Sequence, residues 1–183
     1  MVRGGQVEKI SDEQATQALL RALAPGPDGE HAYRQAYPGG SSEQLFQLVQ
    51  SDWQYRMPTL HLADAQAAGG GRVHLYELTW PAPGSGGAYR AWHTLEVTLL
   101  FGNPSPALLG PEPPPDALAL GDRFRTAWTA FATTGDPGWP AYDPHQRLTQ
   151  VFDTDPVVTA YPEDTSRRLW HHHRFQALPL LTS

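Results

Sequence analysis

The residue best placed to do chemistry is His93, in the stretch "YRAWHTLEVTLLFGN" between a tryptophan and a threonine. It follows a proline- and glycine-rich loop and precedes an apolar run that ends in Phe-Gly. An imidazole titrates near neutrality, so it can take a proton from a hydroxyl and pass it on, bind a metal, or simply pack and hydrogen-bond. From the residues alone, all three readings are open. A general base needs a nucleophile, and the elbow pattern Gly-x-Ser-x-Gly does not occur in the sequence. Ser85 has Pro83 two residues before it, and Ser41 and Ser42 lack a glycine two residues after, so Ser85 reads as loop filler. His171, His172 and His173 invite a metal reading, but adjacent helical residues point about 100° apart and cannot converge on one ion. They read as a solvated helix end. His61 and His74 sit in apolar segments and read as packed or surface histidines. Asp136 and Asp143 each precede a proline, a turn context rather than an acid's.

The elements that must position His93 follow from periodicity and breakers. "SDEQATQALLRAL" begins with a Ser11–Gln14 capping-box pattern ahead of an alanine- and leucine-rich helix. "EHAYRQAYPGG" reads as a short helix stopped at Pro38. A long helical pattern starts at Ser42, with Leu45, Leu48 and Val49 on one face and Trp53, Met57, Leu60 and Leu62 extending it. Pro58 should kink or split that helix. Two segments read as strands, at about 73–79 ("RVHLYELTW") and 148–153 ("RLTQVFD"), with helix between them, so the pair should be parallel. Between them, "TLEVTLLFG" could be helix or strand. "ALALGDRFRTAWTAFATTG" keeps helical spacing through Leu120, Phe124, Ala127, Trp128 and Phe131 and stops at Gly135. "EDTSRRLWHHHRF" reads as a closing helix. Trp128, Phe131, Trp139 and Tyr142 read as core.

The chain of 183 residues fits a single domain over 1–183, and 40% hydrophobic residues with six tryptophans exclude a disordered tail. A net charge of −6 without a basic stripe argues against nucleic acid, and no apolar run approaches the roughly 20 residues of a membrane span. There is no hydrophobic signal core, so the expected location is cytoplasmic. With no cysteine there is neither a disulfide framework nor a thiolate zinc site. Two parallel strands are few for such a sheet, which normally is larger and covered on both faces.

Four segments in order give the pattern a family. "SDWQYRMP" (residues 51–58), "RVHLYELTW" (residues 72–80), and His93, Glu96, Phe101 and Gly102 as His-x-x-Glu-x-x-x-x-Phe-Gly come first. "WTAFATTGDPGWPAYDPHQRLTQVFD" (residues 128–153) follows, and "RRLW" (residues 167–170) closes the series. Together these resemble the C-terminal third of type-B carboxylesterases, the family that includes the cholinesterases, from Asp52 to about Trp170.

The resemblance implies the C-terminal part of an α/β-hydrolase fold, mostly helical with the two parallel strands above. It also implies ester hydrolysis through an acyl-serine, with no metal or organic cofactor. In that fold the triad runs Ser, then Asp or Glu, then His along the chain. By match His93 takes the histidine position, as general base. Glu96 either supports the histidine loop from behind or is an acidic charge at a helix start, where the dipole favours it. No nucleophile is present, and Glu8, the acid nearest the expected position, lacks the family's context. The chain is therefore expected to be a segment of a serine ester hydrolase without its nucleophile or acid, inactive alone. The alternative is a non-catalytic self-associating or partner-binding module derived from a hydrolase. Either way, apolar surface and strand edge left uncovered imply a homo-oligomer or a complementing N-terminal hydrolase chain.

Overall fold

The long apolar pattern from Ser42 folds as a helix that changes pitch partway. In the computed structural model, which describes residues 13–84 and 91–175, α3 (Ser42–Ser51) passes into a π turn (Asp52–Arg56) and then into α4 (Met57–Ala68). The expected Ser11 cap, Glu8 and Ser85 lie outside the described residues. A capping box starts α3: the Ser41 hydroxyl accepts from the Gln44 N–H at 3.2 Å, and Gln44 Oε1 accepts from the Ser41 N–H at 2.9 Å.

Pro58 does not split the helix. It has no N–H to give the Gln54 carbonyl, and its ring would crowd that carbonyl in a regular α turn. The preceding turn widens instead, and the Met57 N–H reaches back five residues to the Asp52 carbonyl. The extra residue changes which side chains face inward. Leu45, Val49, Asp52, Met57, Leu60 and Ala63 are all buried, with a five-residue step across the π turn. Trp53 and Leu62, expected on the apolar face, are 42% and 69% exposed. Nine positions apart at about 100° per residue, they face opposite ways on a regular helix, so one apolar face could not hold both.

The described residues fall into two compact units, one running to Ala65 and resuming at Glu163, the other Gln66–Pro162. In the first, α1 (Glu13–Leu23) packs on α3, while α2 (Gly29–Ala36) packs against α8 (Asp164–Trp170). The closing helix ends at Trp170, so His171–His173 follow it in a turn. Its indole is wholly buried, and Nε1–H donates to the Tyr33 hydroxyl. Tyr33 in turn donates to Asp52 Oδ2 at 2.7 Å, and the Tyr37 and Ser166 hydroxyls meet at 3.0 Å. Asp52 is fully buried, and Arg56 Nη1 stands 3.5 Å from its other oxygen. This polar cluster joins residues more than 130 positions apart in sequence.

In the second unit, β1 (Leu75–Leu78), β2 (Leu148–Phe152) and β3 (Val157–Ala160) form one sheet in the order β1-β2-β3. β1 and β2 are parallel, with Leu75 opposite Thr149 and Leu78 opposite Phe152. Both strands are shorter than expected. β3 was not expected at all: it returns antiparallel on β2 through a short Asp153–Pro156 connection, which makes the sheet mixed rather than a parallel pair. Val157 and Val158 are both exposed, so its two faces carry no inside–outside alternation for the sequence to display. β1 lies at the other edge, with no strand on its outer side among the described residues.

α7 (Pro115–Thr134) covers the sheet through Leu120, Phe124 and Ala127, and ends at Gly135, whose φ of 74° is the left-handed stop that glycine permits. α5 (Leu95–Phe101) resolves the helix-or-strand ambiguity after His93 in favour of helix, and α6 (Pro106–Leu109) follows it. α5 packs closely on α7, where a Cβ on Gly121 would stand 2.9 Å from the Leu99 carbonyl oxygen. Trp139 and Tyr142 are core, as expected, and Trp128 is partly buried against it. Phe131, expected inside, is half exposed near the end of α7.

Burial holds the Asp52 carboxyl above its ordinary range, against the opposing hydrogen bonds from Ser166 and Tyr33 and the charge of Arg56. The folded state therefore favours protonated Asp52, and this contribution is full below about pH 4 and lost as pH rises through the folded-state pKa. Asp52→Asn keeps an acceptor for Tyr33 without the charge. Its stability relative to wild type, measured by urea unfolding from pH 4 to 7.5, is expected to improve as pH rises through the folded-state pKa of Asp52 and then to level off. A pH-independent difference would refute this account.

Candidate functional site

His93 lies on the connection that leaves the carboxyl end of β1. Ligands and catalytic groups in open α/β sheets gather beyond the carboxyl ends of parallel strands. Trp80 anchors the start of this connection: its ring is 3% exposed and Nε1–H donates to Asp116 Oδ2 at 3.0 Å. Asp116 stands in the first turn of α7, and its other oxygen accepts from the Ala117 N–H at 3.0 Å. Beside it, the Thr79 hydroxyl donates to Asp153 Oδ2 at 2.6 Å, bridging the carboxyl ends of β1 and β2. The far end of the connection is held by Leu95, which is wholly buried at the start of α5.

Between these anchors the chain turns sharply. The Leu95 N–H donates to the Trp92 carbonyl at 3.0 Å, which closes a four-residue turn with His93 and Thr94 at its centre. His93 is exposed on that turn and Trp92 beside it is 38% exposed. The histidine is thus displayed toward solvent by a buried frame, a placement suited to proton exchange with a group brought to it.

Glu96 lies in the first turn of α5, half-buried. Its charge acts on Tyr76 of β1: burial first, then the Glu96 carboxylate, push the Tyr76 phenol up to about 12. Tyr76 sits edge-on to Trp128, with ring centroids 4.9 Å apart, and to Phe124 and Phe152. Of the two readings open for Glu96, the structure therefore adds a third relation, to the sheet's aromatic cluster.

The other histidines are placed away from any shared centre. His74 Nδ1 bonds the Trp139 carbonyl at 3.0 Å, and its ring meets Phe131 and Trp139 edge-on. His61 packs edge-on against Phe175. His171 and His172 are exposed, while His173 lies against Trp170 and is held below its ordinary pKa by burial and by His61. Among the described residues no group of three or more His, Asp or Glu could hold a metal ion. No helix among them is long and apolar enough to cross a membrane. Asp136 and Asp143 act as turn acceptors, taking the N–H groups of Gly138 at 2.9 Å and His145 at 2.8 Å.

The buried Asp52 cluster and the turn at Thr94, whose φ of 72° is left-handed, are features the residue types did not disclose. An aspartate between Ser51 and Trp53 reads as surface, and a left-handed turn is normally marked by glycine or asparagine.

No family model matches the chain. It is 26% identical over 166 residues to the para-nitrobenzyl esterase of Bacillus subtilis (strain 168), a match covering 87% of this chain and 33% of that protein. Among solved structures it resembles a PNB esterase with a TM-score of 0.70 and 25% identity, over 89% of this chain and 35% of the other. A carboxylesterase of Geobacillus stearothermophilus matches with a TM-score of 0.70 and 27% identity, over 87% of this chain and 35% of the other. The chain thus spans about a third of the length of the curated relative it matches.

Removing the Asp116 carboxylate leaves the buried Trp80 Nε1–H without its acceptor at the root of the His93 connection. Asp116→Ala is expected to cost about 1–2 kcal/mol of unfolding free energy. Asp116→Asn, which keeps a carbonyl oxygen, should cost less than half of that. Equal losses in chemical denaturation would contradict the role given to this hydrogen bond.

Proposed function

The chain is related to the type-B carboxylesterases over the portion it spans, and from that we propose that it supplies the histidine of a serine ester hydrolase, with His93 as general base. The observation that carries this reading is the exposed His93 on the connection leaving the carboxyl end of a parallel strand, within a family-like match over 166 residues.

In the proposed reaction the His93 imidazole accepts the proton of a serine hydroxyl as its oxygen attacks the ester carbonyl. The tetrahedral adduct collapses as the imidazolium returns that proton to the departing alkoxide, leaving an acyl-serine and a free alcohol. Water then adds to the acyl carbon by the same proton relay, releasing the carboxylic acid and restoring the serine. The sequence has no Gly-x-Ser-x-Gly elbow, so in this reading the serine lies outside these 183 residues, which are inactive by themselves. Glu96 is proposed as a support of the histidine loop.

Uncovered apolar surface favours association. Phe101 is 75% exposed and Val97 46%, four residues apart on one face of α5. Such a face, with β1 at a sheet edge, is expected to be covered by a second copy or by a complementing hydrolase chain. A role purely as a self-associating or partner-binding module rests on the same surface and differs in leaving His93 idle.

Purified chain is expected to show no turnover of p-nitrophenyl acetate above buffer. Mixing it with the remaining two-thirds of the Bacillus subtilis para-nitrobenzyl esterase is expected to restore turnover. His93→Ala should then lower that rate on the order of 10²–10⁴-fold. Turnover in the mixture that survives His93→Ala would leave the binding-module reading. In solution, light scattering of the chain alone should give a dimer or larger; a monodisperse monomer would remove the self-association reading.

A further inference from the structure

Thr94 stands in the left-handed region, with φ 72° and ψ 4°. In the four-residue turn closed by the Leu95 N–H on the Trp92 carbonyl, this is the third-position geometry of a type II turn, where glycine or asparagine is usual. For a β-branched residue such a conformation is a strained outlier, and it persists only where its surroundings leave no other path.

Here the surroundings are specific. The Thr94 carbonyl accepts from the N–H groups of Val97 at 3.1 Å and Thr98 at 3.2 Å, so Thr94 already belongs to the first turn of α5. That helix cannot rotate to relieve it. Leu95 and Leu99 are buried in the core, and the α7 backbone meets the Leu99 carbonyl at Gly121. Arg125 Nη1 also donates to that carbonyl at 3.0 Å. The Thr94 hydroxyl makes no capping bond and the side chain is exposed, so a helix cap does not account for threonine at this position. What threonine does supply is a narrow backbone. Glycine would accept positive or negative φ about equally, whereas a β-branched residue held left-handed has little room around that value.

We propose that Thr94 is a positioning residue for His93: its locked left-handed backbone sets the direction in which the imidazole leaves the turn. This rests on the reading of His93 as the general base. Strain is the physical counterpart of that fixed direction, so relaxing the turn should stabilise the fold and loosen the histidine together.

The test uses backbone ¹⁵N relaxation and thermal unfolding of the full chain in the parent, Thr94→Gly and Thr94→Asn. In the parent the His93 amide is expected to be rigid, with an order parameter of about 0.85. In Thr94→Gly the unfolding midpoint should rise by about 2–4 °C while the His93 order parameter falls below about 0.6. Thr94→Asn tolerates the left-handed region and keeps a side chain, so it should retain the parent's His93 order. The proposal is overturned if His93 stays as ordered in Thr94→Gly as in the parent, or if it is already mobile in the parent. A merely structural role for Thr94 would change the midpoint and leave His93 order unmoved. Survival of turnover in His93→Ala, by contrast, removes the general-base reading without touching the ordering result.

Discussion

The contact between Phe124 and Phe152 organises the unit that carries His93. The rings stack with centroids 4.2 Å apart and planes within 22°, one at the centre of α7 and the other at the last position of β2. Phe124 is wholly buried, and Tyr76, Trp128 and Trp139 meet this pair edge-on. Offset and edge-on aromatic geometries add attraction beyond the area they bury. Through Phe152 the cluster locates β2, and through Tyr76 it locates β1. The carboxyl end of β1, where the His93 connection begins, is therefore placed by aromatic packing together with the Thr79–Asp153 and Trp80–Asp116 hydrogen bonds.

The other unit depends on a different kind of constraint. A carboxylate out of contact with water is costly unless hydrogen-bonded, and Asp52 is held by Tyr33, with Ser166 and Arg56 close by. These partners come from α2, the π turn and α8. A hydrophobic contact tolerates sliding, but a buried acceptor met by oriented donors specifies one arrangement, and this arrangement fixes α2 and the π turn against α8.

Much of this was readable in advance where a regular repeat holds. Leu120, Phe124 and Ala127 announce the buried face of α7 and Gly135 its end, and Leu45 and Val49 do the same for α3. The pattern fails at Trp53 and Leu62 because residues nine positions apart face opposite ways on a helix and cannot share one buried face. It fails at β3 because a strand exposed on both faces shows no alternation, though the β-branched run between Pro156 and Pro162 was the available hint. Of the candidate site, His93 was singled out through its neighbours Glu96, Phe101 and Gly102, while Thr94 was silent, since its unusual backbone is imposed by packing at Leu95 and Leu99. The relation to para-nitrobenzyl esterase over 87% of the chain agrees with the resemblance those residues carried.

The π turn also bears on how the chain can vary in length. A π turn holds one more residue than the α turn it replaces, so Asp52–Arg56 is equivalent to a single-residue insertion absorbed inside a continuous helix. Deleting one residue there would restore a regular pitch and leave everything after it in phase, because the lost residue, about 100° of rotation, is the one the wide turn absorbs. Met57, Leu60 and Ala63 would stay inside and Leu62 outside, and the cost would fall on Pro58, whose ring would then crowd the carbonyl four residues before it. A deletion elsewhere in α3 or α4 would instead turn the buried set out together.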